Sequence, residues 1–100
     1  MTIVKKDKQK VLGETFDDAR IKTFLDVIPP KGVSADYHSL EVAYRSMHHE
    51  NFATFVGFFV EAARDLNAKG PTGKTIAQII SEHRNGGDYL DSLKAAGATL

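Results

Sequence analysis

The chain has 100 residues, 42% of them hydrophobic, which suits one domain with a single core. Thirteen basic and thirteen acidic side chains cancel, so no overall field draws the protein to nucleic acid or a membrane. Cysteine is absent, which excludes disulfides, thiolate catalysis and cysteine–zinc sites together.

The charge balance hides an asymmetry. Lys5, Lys6, Lys8 and Lys10 face only Asp7 in the first eleven residues, so the rest of the chain is acidic by about three charges. Residues 1–13 read as a polar, basic arm ending at Gly13, and 14–100 as one helical domain. No apolar run follows the lysines, so a secretory signal is not expected. The longest apolar stretch, Phe55 to Val60 around Gly57, is too short to span a bilayer. A cytoplasmic location is the expectation.

A helix is predicted from about 15 to 28. Thr15 with Asp18 fits a capping box, Ile21, Phe24, Leu25 and Ile28 follow at helical spacing, and Pro29-Pro30 stops it. Lys31-Gly32-Val33 is a connector. Ser34 or Asp36 can cap the next helix, whose Tyr37, Leu40, Tyr44 and Met47 form one stripe. His48 to Asn51 reads as a turn. Phe52, Phe55, Val56, Phe59, Val60 and Ala63 then fall on one helical face, with no strand-like alternation. Phe58 lies off that stripe with Ala62, and either packs under the first helix or meets a partner.

Arg64 to Thr72 is a loop carrying Asn67, Gly70 and Pro71. Thr75 caps a short helix with Ile76, Ile79, Ile80 and His83 on one side, His83 being expected at the core edge with a hydrogen-bond partner. Asn85-Gly86-Gly87 breaks it, and Asp88 opens a last helix with Tyr89, Leu90 and Leu93 inward. Gly97 suits a left-handed C-terminal turn. Five helices and an all-α fold result.

Few residues offer chemistry. Ala68 to Thr75 satisfies a relaxed phosphate-loop pattern, with Lys74 and Thr75 at the phosphate and magnesium positions. That loop needs a buried parallel strand before it, and Ala62 to Asn67 is too polar for one. His48, His49 and Glu50 are consecutive, so on a helix they diverge and make a poor metal set. The serines fall at caps or helix faces, and Asp17-Asp18 is explained by a helix start. No catalytic residue, metal or cofactor is expected.

Residues 55–68 and 89–100 resemble each other at an offset of 34: Phe55 pairs with Tyr89, Val56 with Leu90, Phe59 with Leu93, Ala63 with Gly97 and Leu66 with Leu100. A period near this length marks stacked helix pairs. Asp65-Leu66-Asn67-Ala68 and Gly73-Lys74-Thr75 are similar to the turn and helix start of an ankyrin repeat. About two degenerate repeats, over 35–100, carry the resemblance. Ile76-Ala77-Gln78 replaces the family's Pro-Leu-His, and Ile80 stands where it has Ala, a size swap that roughly conserves volume. Ala43 to Ala63 spans 20 steps against 17 for Ile80 to Gly97, so the loop inside the earlier repeat is expected to be longer. The helix near 15–28, or a second chain, should cover an open end. The whole chain is also similar to a family of small uncharacterised gammaproteobacterial proteins, which implies no activity.

The ankyrin resemblance implies a non-catalytic protein-binding adaptor. Its contact surface would comprise a hairpin tip, Lys69, Gly70, Pro71, Thr72 and Lys74, with a helix surface of His38, Glu41, Arg45, Gln78, Ser81 and Glu82. The alternative is a nucleic-acid or ribosome-associated protein acting through the lysines of the arm, with strongly salt-dependent binding.

Overall fold

A computed structural model describes residues 17–100. They form five α-helices and one 3₁₀ turn, with no strand: α1 (Asp18–Thr23), the turn Phe24–Asp26, α2 (Ala35–Ser46), α3 (His49–Glu61), α4 (Ile76–Ser81) and α5 (Gly87–Ala95). The all-α class and the five helices are as the sequence indicates. The basic arm, Gly13 and Thr15 lie outside the described residues.

The first helix is shorter than expected. Asp17 caps it, its carboxylate accepting from the Arg20 N–H at 2.8 Å. It tightens to a 3₁₀ turn after Thr23 and has ended by Val27, which is extended. Ile28 is therefore not part of the apolar face and is 88% exposed. The cause is Pro29, whose ring disfavours a helical conformation at the residue before it.

Ser34 caps α2, accepting from the Tyr37 N–H at 3.2 Å. The turn expected over His48–Asn51 is confined to Met47 and His48, because the His48 ring accepts from the Glu50 N–H and starts α3 at once. Between α4 and α5, by contrast, Glu82 to Gly86 are all non-helical. The extra residues between Ala43 and Ala63 thus lengthen the earlier pair of helices, 12 and 13 residues against 6 and 9, and not the loop between them.

Helix α3 ends in a double hydrogen bond, Arg64 N–H to Phe59 O at 3.2 Å and Ala63 N–H to Val60 O at 2.9 Å. α5 ends the same way, Ala98 N–H to Leu93 O at 2.9 Å and Gly97 N–H to Lys94 O at 3.1 Å. These are two Schellman turns at equivalent positions of the proposed period. The pivot is left-handed in both: Gly97 at φ 114° and, unusually, Ala63 at φ 60°. Ala63 is exposed, not inward as its spacing suggested, because the helix has already stopped. Val60 is also off the core, 43% exposed.

The helices stack as pairs. α2 packs on α3 and α4 on α5, while α2 also meets α4 and α3 meets α5; α1 lies on α3 and the 3₁₀ turn on α2, closing one end. α3 and α5 run side by side in the same direction. His49 of the first turn of α3 reaches Asp88 of α5 at 3.5 Å, and the Phe52 and Tyr89 rings are 5.3 Å apart. Beyond their C-terminal ends, Asn67 Oδ1 accepts from the Thr99 N–H at 2.9 Å. Phe52, Phe55, Phe59, Leu40, Leu93, Ile76 and Ile80 fill the space between, and each buried side chain of this size contributes about 2–3 kcal/mol. Ala77 and Ile80, the pair with swapped sizes, are both buried in that core.

Candidate partner-binding surface

The segment before α4 is a tight hairpin. Lys69 and Thr75 form an antiparallel bridge. The Gly70 N–H donates to Lys74 O and the Gly73 N–H to Gly70 O, each at 2.9 Å. Gly73 has φ 83°, which leaves Pro71 and Thr72 at the tip and matches a type I turn followed by a left-handed residue.

Gly70 has a specific job. Its backbone lies on the ring of Tyr37, so close that a Cβ there would sit 2.3 Å from a ring carbon. Only glycine allows that approach, and through it the hairpin is seated on the first turn of α2. Burial, with the Glu41 charge adding to it, raises the pKa of Tyr37.

The hairpin is tied to α4 as well. Lys74 Nζ donates to Glu82 at 2.6 Å, and this hydrogen bond, with the lysine charge, lowers the Glu82 pKa. Thr75 and Gln78 form a complete capping box: the Thr75 hydroxyl accepts from the Gln78 N–H at 3.1 Å, and the Gln78 side chain accepts from the Thr75 N–H at 2.9 Å. Along α2, Glu41 lies 3.7 Å from His38 and 3.5 Å from Arg45. Ser81 donates to Gln78 O at 2.6 Å.

The structure therefore brings the two groups of sequence-selected residues onto adjoining elements. Lys69, Pro71, Thr72, Lys74, Arg45, Ser81 and Glu82 are exposed, whereas His38, Glu41, Gly70 and Gln78 are half-buried. Gly70 and Gln78 serve the fold first, one as the seat on Tyr37 and the other as half of the cap.

The phosphate-loop geometry does not form. The amides of Gly70 and Gly73 close the hairpin and that of Thr75 closes the cap, and no strand leads into the loop. Among the described residues no group of three or more His, Asp or Glu side chains converges as metal ligands. No described helix is long and apolar enough to cross a membrane. Phe58 is half-buried and packs towards α1, with Lys22 Nζ 4.8 Å from its ring centre.

Several polar ties escaped sequence reading because their partners are far apart in the chain. Asp36 binds the Arg64 guanidinium and accepts from the Asp65 N–H at 2.9 Å, while Arg64 also donates to Leu25 O at 2.9 Å. Burial alone would raise the Asp36 pKa, but the Asp65 N–H and Arg64 outweigh it and leave the pKa lowered. At the other end, Tyr44 stacks on His83, with its hydroxyl 2.7 Å from His83 Nδ1, and the Tyr89 hydroxyl donates to Met47 O at 2.7 Å. His83 has the partner its position suggested, but it is exposed.

No family model, curated protein or solved structure matches the chain.

Proposed function

We propose that the protein is a small, non-catalytic protein-binding module built as two ankyrin-like helix pairs, its partner meeting the hairpin tip and the neighbouring face of α2 and α4. The single observation that carries this reading is the seating of the hairpin. Gly70 on Tyr37 and Lys74 on Glu82 hold an exposed tip rigidly above two helices. A pre-ordered, exposed loop on a packed scaffold has little left to lose in entropy on binding. The fold analogy with ankyrin stacks, which bind through these elements, supports it further.

Reversing charge at the tip tests it. Lys69 is exposed, so Lys69→Glu should leave both the fold and the Lys74–Glu82 contact that seats the hairpin intact. A protein captured by the native chain should be lost with this variant and retained with a control reversal on α5, Lys94→Glu. Equal recovery by all three chains would reject the surface.

A further inference from the structure

α3 and α5, which contribute nothing to the hairpin surface, enclose a shallow groove of about 420 Å3, lined by Ala53, Val56, Gly57, Val60, Ser92 and Ala95. Ala53, Gly57 and Val60 follow at helical spacing and are exposed, Val60 by 43%. Gly57 is the residue that the fold does not explain. Inside a helix, glycine is the poorest choice after proline. Gly70 and Gly86 lie where a Cβ would strike Tyr37 or Ile80, and Gly32, Gly73 and Gly97 have a left-handed φ. A Cβ on Gly57 would meet nothing within 4 Å. Nothing among the described residues requires the missing side chain. What it does is leave the α3 backbone bare in the groove, where another backbone can come close.

The groove also has a sign. Glu50 and Glu61 stand at the two ends of the α3 stripe, one turn beyond Ala53 and Gly57, and Asp88 and Asp91 stand one turn before Ser92 and Ala95. All four are exposed, and the two helices carry one lysine against them, Lys94. Glu50 and Asp88 have histidine neighbours, His48 at 3.8 Å and His49 at 3.5 Å. Among the described residues Glu61 and Asp91 have no ion-pair partner. A second copy of the chain laid on this face would set carboxylates against carboxylates, which disfavours a dimer. We propose that the groove receives a cationic amphipathic helix of another protein, its apolar stripe on Gly57 and Val60 and its basic side chains on Glu61 and Asp91. This site shares no residue with the hairpin surface and stands or falls separately.

A synthetic peptide of two Leu-Lys-Lys-Leu-Leu-Lys-Leu repeats is a suitable probe, with a control in which every lysine is glutamate. Titrated into the full-length chain at low salt, the cationic peptide should shift the amide signals of Ala53, Gly57, Val60, Ser92 and Ala95, and the acidic control should not. The shifts should fade at about 0.5 M salt, where screening shortens the Debye length to a few ångströms. Gly57→Leu fills the groove from open space and favours the helix, and it should abolish them. Glu61→Lys with Asp91→Lys, both exposed, should abolish them as well. Absence of shifts at low salt, shifts centred on α2 and α4, shifts that survive either variant, or equal binding of the acidic control would each overturn the proposal. Self-association of the native chain that Gly57→Leu blocks would overturn it too, by making the occupant a second copy.

Discussion

Ala63 shows how much one backbone angle can hold. At φ 60° its methyl group costs about 1–2 kcal/mol relative to a right-handed conformation, yet the turn it makes is the one Gly97 makes without that cost. Ala63→Gly should raise stability by about 1 kcal/mol, which for a domain of this size lifts the thermal midpoint by about 4–8 °C. A circular-dichroism melt reads it, and an unchanged or lower midpoint would contradict the left-handed turn. Gly70 is the opposite case. Gly70→Ala drives a methyl group into the Tyr37 ring, and overpacking of this kind costs about 1–3 kcal/mol. Chemical denaturation of the variant measures it, and a loss below a few tenths would show that the hairpin is not seated there.

At the scale of elements, caps and ties do what short helices cannot do alone. α4 has only six residues, too few to persist by propensity, so the Thr75–Gln78 box and the burial of Ile76, Ala77 and Ile80 define it. Thr75→Ala should cost about 1 kcal/mol, with amide exchange quickening first over 76–81. Asp36 joins α2 to the end of α3 in a pH-dependent way. Its pKa is lower folded than unfolded, so its contribution is present above the ordinary carboxylate value of about 4 and is lost as pH falls below that. Asp36→Asn should flatten that part of the acid limb of a stability-versus-pH curve. A limb of unchanged slope would remove Asp36 from the account. These elements also show what the sequence could and could not reveal. The Phe52–Phe59 stripe, the Ser34 and Thr75 caps and the Gly97 turn were legible because spacing and capping chemistry are local. The helix stop at Ala63 was hidden by a residue that normally continues a helix, and the early start of α3 by a histidine acting as a cap. Arg64 with Asp36 could not be read at all, and for His83 only the need of a partner was legible, not that Tyr44 supplies it, since ties between distant positions leave no periodic trace.

On the scale of the whole molecule, the matching Schellman turns, the parallel course of α3 and α5 and the Asn67–Thr99 bond describe two similar units laid one on the other. The 3₁₀ turn packs on α2 and α1 on α3. The proposed surface exists only if this stacking holds, because the hairpin between the units is seated by both. The most direct check is a nuclear Overhauser spectrum of the native protein. Stacking predicts contacts between the Phe52 and Tyr89 rings, 5.3 Å apart, together with contacts between Asn67 and Thr99. Contacts of Phe52 with Ala96 or Ala98 in place of Tyr89 would mean that α3 and α5 run in opposite directions, and the account would fail.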